Sequence, residues 1–523
     1  MPLGPQLTAT PAFPPAASEP LWRKASLPSL VGATALGFIL SFAAADAALR
    51  GPWLDEIWTL ELSDTRNGLL ALLRDGWLHD THPPAFNAWA TLLASLGIAS
   101  IPAGRLASNL LAAGLMILAA RRLSSRAPEL TGFNTVVLLL TLSLPQAMES
   151  FATYRSYFWQ IAAIGTLVLV ARHIASARAD LDGRKDLDLA VIAVVATAAA
   201  IGLHFIGGLF GGLLAGMLAW SAHRRGLRRW AALLLATAAL ATSYIAASVL
   251  LQAPNWANDL DHSWIDLPAV QALAVPATLA VAALCQNPIA LAGLWVMRDG
   301  CDDAERRFMT IVLGVLVAGI AIVLAVHAFQ PIVVDRYLVA VSVLVSAVVA
   351  VPAARLVQHP IPFGLLALAS VAAAAGPIVV QGIQPLWNEG ARTIARIVAE
   401  CPTTQVHAAS GWALGPAAET RAARREDPVF ARAYRLLAAD NGFAVHFIGQ
   451  HEAASATPDP CPVLIWFEHT PNEAEDDLPA AVEAAGLAGL RDARLSAVRS
   501  ATGFVVRADR RVGASVPDVA VRP

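Results

Sequence analysis

Long apolar runs recur along this chain as far as residue 381, and they constrain its fold more than any other feature. Each run is long enough to cross, or nearly cross, a bilayer as a helix. We therefore expect a polytopic α-helical membrane protein. The runs occupy residues 28–49, 84–98, 103–120, 131–147, 157–171, 188–203, 206–221, 229–251, 268–297, 308–329, 337–353 and 361–381.

One stretch leaves the number of crossings open. If the N-terminus lies inside the cell, residues 84–120 must cross the membrane a net odd number of times. They contain two apolar pieces, however, separated by Pro102 and Arg105. We expect one of the two pieces to be short, tilted or shallow, which gives a total of about 11–13 transmembrane helices.

The composition agrees with a membrane protein and excludes one class of partner. Hydrophobic residues make up 56% of the chain and charged residues 15%, whereas about a quarter of a soluble domain is charged. The net charge of −2 gives no reason to expect nucleic-acid binding. Residues 1–27 are interpreted as a disordered cytoplasmic tail. The run 28–49 is too long for the core of a signal peptide, so we interpret it as a retained anchor.

Basic residues predict the orientation, because cytoplasmic loops carry an excess of lysine and arginine. They form four groups: Arg121, Arg122 and Arg126; Arg172, Arg178, Arg184 and Lys185; Arg224, Arg225, Arg228 and Arg229; and Arg298, Arg306 and Arg307. All four groups can be cytoplasmic together. The opposite face then carries loops 50–83, 148–156, 252–267 and 330–336, and everything after about residue 382.

From residue 382 to residue 523 the composition changes to that of a small soluble α/β domain. Its predicted strands are Thr404–Ala409, Ala444–Ile448 and Val463–Glu468, and its predicted amphipathic helices are 387–400 and 428–440. If this domain is periplasmic, Cys401 and Cys461 lie in an oxidising compartment and could form a disulfide. Cys301 lies in a basic loop and should stay reduced.

Two motifs after the first apolar run carry ionisable groups next to the membrane, where such groups are costly and usually functional. Residues 53–58, Trp-Leu-Asp-Glu-Ile-Trp, set the carboxylates of Asp55 and Glu56 between two tryptophans. Either the pair complements a helix dipole, or Asp55 is a general base that Glu56 assists. Asp80 and His82 directly precede Pro83-Pro84. Either they are turn residues, or His82 contacts a phosphate or a metal ion and Asp80 orients the His82 ring.

Three later groups fall on the same face of the predicted topology. Arg155 either extends to the interface or binds a phosphate through its planar fork, with Glu149, Tyr154 and Tyr157 shaping the site. His204 is either a structural interfacial residue or a ligand. The remaining group is Asp335, Arg336 and Tyr337, in which Arg336 is either neutralised by Asp335 or serves as a second phosphate clamp.

Together these residues suit one kind of chemistry. A sugar linked to a lipid phosphate is already activated, since the phosphate leaves without being protonated. Its transfer needs one base for the acceptor hydroxyl and cations for the leaving phosphate. It does not need the two opposed carboxylates of a glycoside hydrolase. The set therefore favours a transferase.

The order of these motifs resembles that of the membrane-embedded GT-C glycosyltransferases over residues 28–381. The similarity is greatest to the bacterial branch allied to protein O-mannosyltransferases and the lipid A aminoarabinose transferase. The motifs that carry it are Trp53-Leu54-Asp55-Glu56, Asp80-Thr81-His82-Pro83-Pro84, Arg105, Pro145 with Glu149, Tyr154-Arg155-Ser156-Tyr157, and Asp335-Arg336-Tyr337.

The resemblance implies a GT-C fold with an active site on the periplasmic face of the bacterial inner membrane. It also implies a polyprenyl-phosphate-linked sugar donor and inverting transfer to a glycan, lipid or protein acceptor. By this resemblance Asp55 is the base, and Arg155 and Arg336 meet the donor phosphate, with His82 and Tyr337 beside it. Some members of the family use a divalent metal ion and others do not, and no ligand spacing in this chain decides between them.

Two other functions remain compatible with the sequence. A transporter or flippase should show inverted repeats and polar groups near the bilayer midplane, and neither is evident here. An O-antigen ligase or polymerase usually carries its arginines and histidines in a long outer loop between late helices. Here the longest outer loop before the C-terminal domain is the first one, residues 50–83.

Overall fold

The computed structural model describes residues 27–80, 82–177, 187–259, 267–291, 300–410, 421–448, 460–468, 477–484, 486–487, 490, 493–500 and 502–509. Apart from Leu27, the predicted N-terminal tail lies outside these ranges. The same holds for Arg178, Arg184, Lys185 and Arg298 of the predicted basic loops.

Helices make up the membrane domain, and their bounds follow the apolar runs closely. They are α1 (Leu27–Leu49), α2 (Leu54–Glu61), α3 (Pro84–Ser95), α4 (Ile101–Arg126), α5 (Thr131–Leu142), α6 (Pro145–Phe151), α7 (Tyr157–Ser176), α8 (Leu187–Gly202), α9 (Phe205–Arg224), α10 (Arg228–Asp259), α11 (Ala274–Cys285), α12 (Asp303–His327), α13 (Val339–Ala353) and α14 (Pro360–Gln381). Short helical turns lie at Thr65–Asn67, Leu69–Ala71, Leu72–Gly76, Trp77–His79, Pro128–Leu130, Ala269–Ala272, Asp335–Tyr337 and Ala354–Gln358.

Eight of the described helices are long and apolar enough to cross a membrane. The bent pair Pro128–Leu142 and Pro145–Phe151 gives a ninth span, and α8 and α11 are shorter apolar helices. The described residues therefore give eight or nine spans, fewer than the 11–13 expected from the sequence. Helix α3 has only 12 residues, or about 18 Å, and is too short to cross. It is the short piece expected within residues 84–120.

The break between α5 and α6 has a clear cause. The two helices meet at 67° because Pro145, which lacks a backbone N–H, begins the second one. The side chain of Gln286 binds the end of α5, since its Nε2 donates to the Leu140 carbonyl at 2.8 Å. The break lets the chain turn at the end of the bundle that carries Asp55, just before the loop that carries Arg155.

Helix α7 lies at the centre of the membrane domain, and α13 packs against it. In their membrane-crossing segments, 94% of the α7 residues and 83% of the α13 residues are buried inside the protein. Both helices are apolar all round, as a helix surrounded by other helices must be. The lipid-facing helices, such as α1 and α12, bury only one side.

The basic loops meet at one end of the bundle, as the sequence predicted. Arg126 pairs with Asp188 at 3.2 Å. Arg172 and Arg355 both approach Glu305, at 3.8 and 3.1 Å. These contacts join loops that are distant in sequence, and they lie at the end of the bundle opposite Asp55.

A soluble α/β domain follows the membrane helices. Its elements are α15 (Trp387–Glu400), β1 (Gln405–Ser410), α16 (Arg421–Asp440), β2 (His446–Ile448), β3 (Val463–Glu468), α17 (Leu478–Ala484), β4 (Arg494–Arg499) and β5 (Gly503–Asp509). The sheet order is β2-β1-β3-β5-β4, with β1 parallel to β2 and β3, and with β5 antiparallel to β3 and β4. The predicted strands correspond to β1, β2 and β3, while β4 and β5 were not predicted.

The structure contains the disulfide that the sequence suggested. Cys401 and Cys461 are bonded, with their Cα atoms 5.7 Å apart, inside the usual range for a bridge. Cys401 directly follows α15 and Cys461 precedes β3, so the bond ties the first helix of the soluble domain to its sheet. Cys285 and Cys301 are free thiols.

The linker into the soluble domain packs against the start of the first outer loop. The Gly51 N–H donates to the Gln384 carbonyl at 3.0 Å. A Cβ atom at position 51 would overlap the carbonyl oxygen of Pro385, so glycine is required there. Leu386, the next residue, has a positive φ of 44°, which is unusual for a residue with a side chain.

Candidate active site

The structure brings Asp55 and Arg336 together although 281 positions separate them in sequence. Asp55 lies in the first turn of α2, and Arg336 lies in the helical turn Asp335–Tyr337 before α13. Arg336 Nη2 is 3.6 Å from Asp55 Oδ2. The two side chains are 33% and 25% exposed, so a bound molecule can reach both.

A cavity of about 190 Å³ contains this pair. Its lining also includes Glu149 and Tyr157, two of the predicted site-shaping residues. Leu386 from the linker forms part of the wall, so the C-terminal segment contributes to the site. The other lining residues are Arg50, Trp53, Glu56, Gln146, Ser150, Ala152, Thr153, Asp335 and Val339.

Arg336 remains a cation in this cavity. Burial by itself would lower the pKa of its guanidinium, but Asp55 and the hydroxyls of Tyr157 and Tyr337 raise that pKa above its ordinary value. The guanidinium carbon lies 5.6 Å from the centre of the Tyr337 ring, close enough for a cation–π contact. A permanent positive charge therefore borders the Asp55 carboxylate.

Glu56, the neighbour of Asp55, is held in a different way. Its carboxylate is 1% exposed and receives two hydrogen bonds from the fully buried Arg105, at 2.7 and 2.5 Å. The backbone N–H groups of Trp53 and Tyr154 donate to the same carboxylate at 3.0 and 2.6 Å. Arg105 also donates to three carbonyls, those of Ala47, Arg50 and Gly51. All four acceptor positions of Glu56 are therefore used by the protein itself.

Asp80, His82 and Arg155 form a connected chain beside the cavity. Asp80 Oδ1 is 3.7 Å from His82 Nδ1, and Asp80 Oδ2 accepts a hydrogen bond from Asn87 at 3.0 Å. Arg155 Nη2 lies 3.3 Å from the same His82 nitrogen, and its Nη1 donates to Thr59 at 3.1 Å. Burial raises the pKa of Asp80, but His82, Arg155 and Asn87 outweigh burial and hold it below its ordinary value.

The rings of four side chains, His82, His204, Tyr157 and Tyr337, pack together at this place. His82 lies 5.5 Å from His204 and 6.2 Å from Tyr337, measured between ring centres, and Tyr157 lies 5.7 Å from His204. His204 caps the N-terminus of α9, where its Nδ1 accepts from the Gly207 N–H at 3.2 Å. Burial lowers the pKa of His204 well below its ordinary value, so its ring is neutral. The remaining proton is then on Nε2.

Tyr154 is the one predicted site residue whose side chain lies away from both the cavity and the groups beside it. Its side chain is buried against Phe86 and Gly104, and it does not line the cavity. Its backbone N–H instead supports Glu56. Every other predicted site residue lies on the cavity wall or in the chain of rings and charges beside it.

Sequence reasoning missed residues that hold the site from membrane helices. Gln252 of α10 is fully buried, and its Nε2 donates to the carbonyls of Trp77 and His82, both at 2.9 Å. His327 of α12 accepts from the N–H groups of Ile332 and Val333, at 3.0 and 3.2 Å, and so holds the loop before Arg336. A polar side chain at the outer end of an apolar run is the sequence feature that could have revealed both.

The residues that the structure describes do not form a cluster of metal ligands. Among the parts of the chain that the structure describes, no three side chains of His, Cys, Asp or Glu converge closely enough to hold a metal ion. Asp55 and Asp80 each have a basic partner instead. No step of the chemistry below therefore runs through a metal ion.

Comparison with known proteins identifies the fold. No protein-family model matches the chain, and no characterised sequence is significantly similar to it. The crystal structure of ArnT from Cupriavidus metallidurans in the apo state is 11% identical, with a TM-score of 0.49, over 92% of this chain and 98% of that chain. The structure of the same ArnT bound to undecaprenyl phosphate is 12% identical, with a TM-score of 0.50, over 91% and 97%. The chain has the ArnT-like GT-C fold that its motifs predicted.

Proposed function

We propose that this protein is an integral membrane glycosyltransferase. It moves a sugar from a polyprenyl-phosphate donor to a hydroxyl group of an acceptor, with Asp55 as the general base. The observation that carries the proposal is the pairing of Asp55 with Arg336 in one accessible cavity, 3.6 Å apart. A base and a permanent cation side by side are what this transfer needs, one for each end of the reacting bond.

The proposed reaction is a single displacement at the anomeric carbon of the sugar. Asp55 accepts the proton of the acceptor hydroxyl as its oxygen bonds to that carbon. The bond between the carbon and the phosphate oxygen breaks, and polyprenyl phosphate leaves with the electron pair. The acceptor enters opposite the leaving group, so the configuration inverts. No acid is needed to protonate the leaving group, because a phosphate is stable as an anion.

The leaving phosphate gains negative charge as the bond breaks, and in this proposal two arginines stabilise that charge. Arg336 stands at the cavity, and its planar fork suits two phosphate oxygens. Arg155 lies deeper and is oriented by Thr59 and His82. His82 and Tyr337 complete the cationic, aromatic side of the site. Asp80 orients His82, while Glu149, Tyr157 and His204 shape the cavity and its edge.

Glu56 takes a structural part in this proposal, in place of the catalytic part expected from the sequence. A carboxylate that already accepts four hydrogen bonds has no lone pair left for a substrate or a cation. Its bond with Arg105 fixes α2 against α4, and this holds Asp55 at the cavity edge. Tyr154 likewise supports the framework through its backbone.

The fold supports the class of donor. The ArnT structure of similar fold was determined bound to undecaprenyl phosphate, a polyprenyl phosphate. The same class of lipid suits a cavity in this chain that opens next to membrane helices and carries arginines. In this proposal the acceptor is a glycan, a lipid or a protein on the periplasmic side of the inner membrane, and the excess of arginine in the loops at the opposite end of the bundle supports that orientation.

A donor panel tests the proposal. Purified protein in vesicles is incubated with radiolabelled polyprenyl-phosphate sugars and an envelope extract as acceptor. We expect one donor to lose its sugar to the acceptor and to release polyprenyl phosphate. Asp188→Asn, a partly exposed acidic residue at the other end of the bundle, is the matched control and should keep this activity. Movement of intact donor from one leaflet of the vesicle membrane to the other, without cleavage, would instead indicate a transporter.

Thiol labelling tests the proposed orientation. Intact cells are treated with a membrane-impermeant maleimide before and after reduction. Cys401 and Cys461 should label only after reduction, because they are disulfide-bonded. Cys301, in the basic loop before α12, should stay unlabelled until the cells are broken. Labelling of Cys301 in unbroken cells would place the active site on the cytoplasmic side.

A further inference from the structure

His327, the last residue of α12, is a buried polar side chain that the proposed reaction does not use. It is 4% exposed and lies at the end of the bundle that carries Asp55 and Arg336. A polar group at the end of an apolar helix is costly to bury unless its hydrogen-bonding atoms have partners. Both ring nitrogens of His327 have such partners, and the two sets of partners come from different segments of the chain.

The Nδ1 atom of His327 accepts two hydrogen bonds from the loop that precedes Arg336. The backbone N–H groups of Ile332 and Val333 donate to it at 3.0 and 3.2 Å. Because a backbone N–H group can only donate, Nδ1 carries no proton. The ring proton of the neutral form is therefore on Nε2, which donates to the Leu267 carbonyl oxygen at 2.9 Å. One neutral tautomer satisfies all three contacts at once.

These contacts join three segments: the end of α12, the loop after it, and the chain before α11. Leu267 lies just before the helical turn Ala269–Ala272, 60 positions before His327 in sequence. Val333 is 2% exposed and packs in the core of the membrane domain. The His327 ring thus fixes the backbone of residues 332–333 against both α12 and the chain before α11.

Arg336 follows this fixed backbone after only two residues. It lies in the helical turn Asp335–Tyr337, and α13 begins at Val339. The segment that carries Arg336 is therefore held on one side by His327 and on the other by α13. At the cavity, the Arg336 guanidinium lies 3.6 Å from the Asp55 carboxylate. A cation that is held in place before its ligand arrives loses little freedom on binding, and so binds the ligand more tightly.

We propose that His327 is a positioning residue for donor binding, because it holds Arg336 where the phosphate of the lipid-linked donor binds. This inference rests on the proposed function, since that function gives Arg336 a phosphate to bind. His327 is not among the residues that line the cavity, so it acts through the loop and contacts no substrate. Its loss should weaken binding of the phosphate, and the loss should depend on Arg336.

Two substitutions separate the two sides of the His327 ring. His327→Asn places an amide oxygen at the position of Nδ1 and keeps the loop contacts, but it is too short to reach the Leu267 carbonyl. His327→Gln places an amide nitrogen at the position of Nε2 and keeps the Leu267 contact, but it offers the loop no acceptor at the position of Nδ1. The two variants therefore differ in whether the backbone before Arg336 is held.

Binding of radiolabelled undecaprenyl phosphate to the detergent-solubilised protein compares the variants. We expect His327→Asn to bind within about 3-fold of wild type, and His327→Gln to bind about 10-fold more weakly through loss of two hydrogen bonds. His359→Gln, an exposed histidine at the opposite end of the bundle, is the control and should bind like wild type.

A double-mutant cycle tests whether the effect passes through Arg336. In the Arg336→Ala background, His327→Gln should change binding by less than about 2-fold, because the guanidinium that His327 positions is already absent. A general loss of structure would instead weaken binding by the same factor in both backgrounds.

Two measurements without any ligand test the positioning itself. Hydrogen exchange in residues 328–338 should be faster in His327→Gln than in wild type, and it should be unchanged in His327→Asn. Phenylglyoxal should modify Arg336 faster in His327→Gln, since a looser loop exposes the guanidinium more. Unchanged exchange in the rest of the membrane domain would show that the variant is folded.

Three results would overturn the proposal. They are wild-type exchange and Arg336 modification in His327→Gln, wild-type binding of undecaprenyl phosphate by that variant, and equal weakening in the two Arg336 backgrounds. Failure of the proposed function gives a different pattern. If the wild-type protein binds no undecaprenyl phosphate, that function is contradicted, while exchange and modification still decide whether His327 positions Arg336.

Discussion

Asp55 and Glu56 are adjacent on α2, yet the two sides of this helix place them in opposite surroundings. On the inner side, Glu56 is buried and its carboxylate is saturated by Arg105 and two backbone N–H groups. On the cavity side, Asp55 is a quarter exposed and meets Arg336 at 3.6 Å. Two acidic residues that look alike in the sequence thus differ in what a substrate can reach.

This difference predicts that substitutions of the two residues affect different properties, folding stability for Glu56 and turnover for Asp55. A buried carboxylate with all its partners inside the protein resists change, since removal of one member leaves a buried charge or several unpaired donors. A partly exposed carboxylate beside a cation can change partners when a substrate enters. The inner side of α2 should therefore govern folding, and the cavity side should govern turnover.

Asp55→Asn is expected to have the largest effect. The amide keeps the size of the side chain but cannot accept the proton, so turnover should fall about 100- to 10,000-fold. Thermal stability should remain within about 0.5 kcal/mol of wild type because the residue is partly exposed. Turnover and unfolding are measured on the same preparation, beside Asp188→Asn. Near-normal turnover would remove Asp55 from the mechanism.

Glu56→Gln should act on stability. The amide cannot balance the Arg105 charge, and loss of one member of a buried ion pair costs about 3–5 kcal/mol. We expect poor expression and a lower midpoint of thermal unfolding in detergent. If this variant is as stable as wild type but inactive, Glu56 takes part in the chemistry, and the assignment of Glu56 to folding and Asp55 to turnover is wrong.

Arg336→Ala should weaken donor binding by about 10- to 100-fold, since a hydrogen bond to a charged group contributes about 1.5–3 kcal/mol. Arg336→Lys should recover only part of this, because an ammonium lacks the planar fork. Equilibrium binding of a labelled donor measures both variants. Donor affinity equal to wild type in Arg336→Ala would contradict the phosphate role.

Gln252→Leu should have the smallest effect of the four. It removes the two hydrogen bonds that hold the backbone around His82, at a cost of about 1 kcal/mol, and turnover should fall about 3- to 10-fold. Hydrogen exchange in residues 77–85 should rise as the loop loosens. Gln358→Leu, at the other end of the bundle, is the control. Unchanged exchange would show that α10 does not hold this loop.

The sequence predicted the helices well because a membrane span must be both long and apolar, and the runs met both conditions. It also predicted that Asp55 and Arg336 lie at the same end of the helix bundle. It did not predict the bond between Glu56 and Arg105, since nothing local in either segment specifies a partner 49 residues away. Strand β4 was missed because its side chains are mostly exposed and its sequence has no apolar core.

The close packing of Gly51 on Pro385 bears on how such a protein can be divided or recombined. The boundary at residue 382 separates two compositions, but Leu386 beyond it still forms a wall of the cavity around Asp55. A chimera that took its soluble domain from another protein would need to keep residues 384–386 and the glycine opposite them. The two parts of the chain therefore meet at the wall of the candidate site, and Gly51 would have to be exchanged together with residues 384–386.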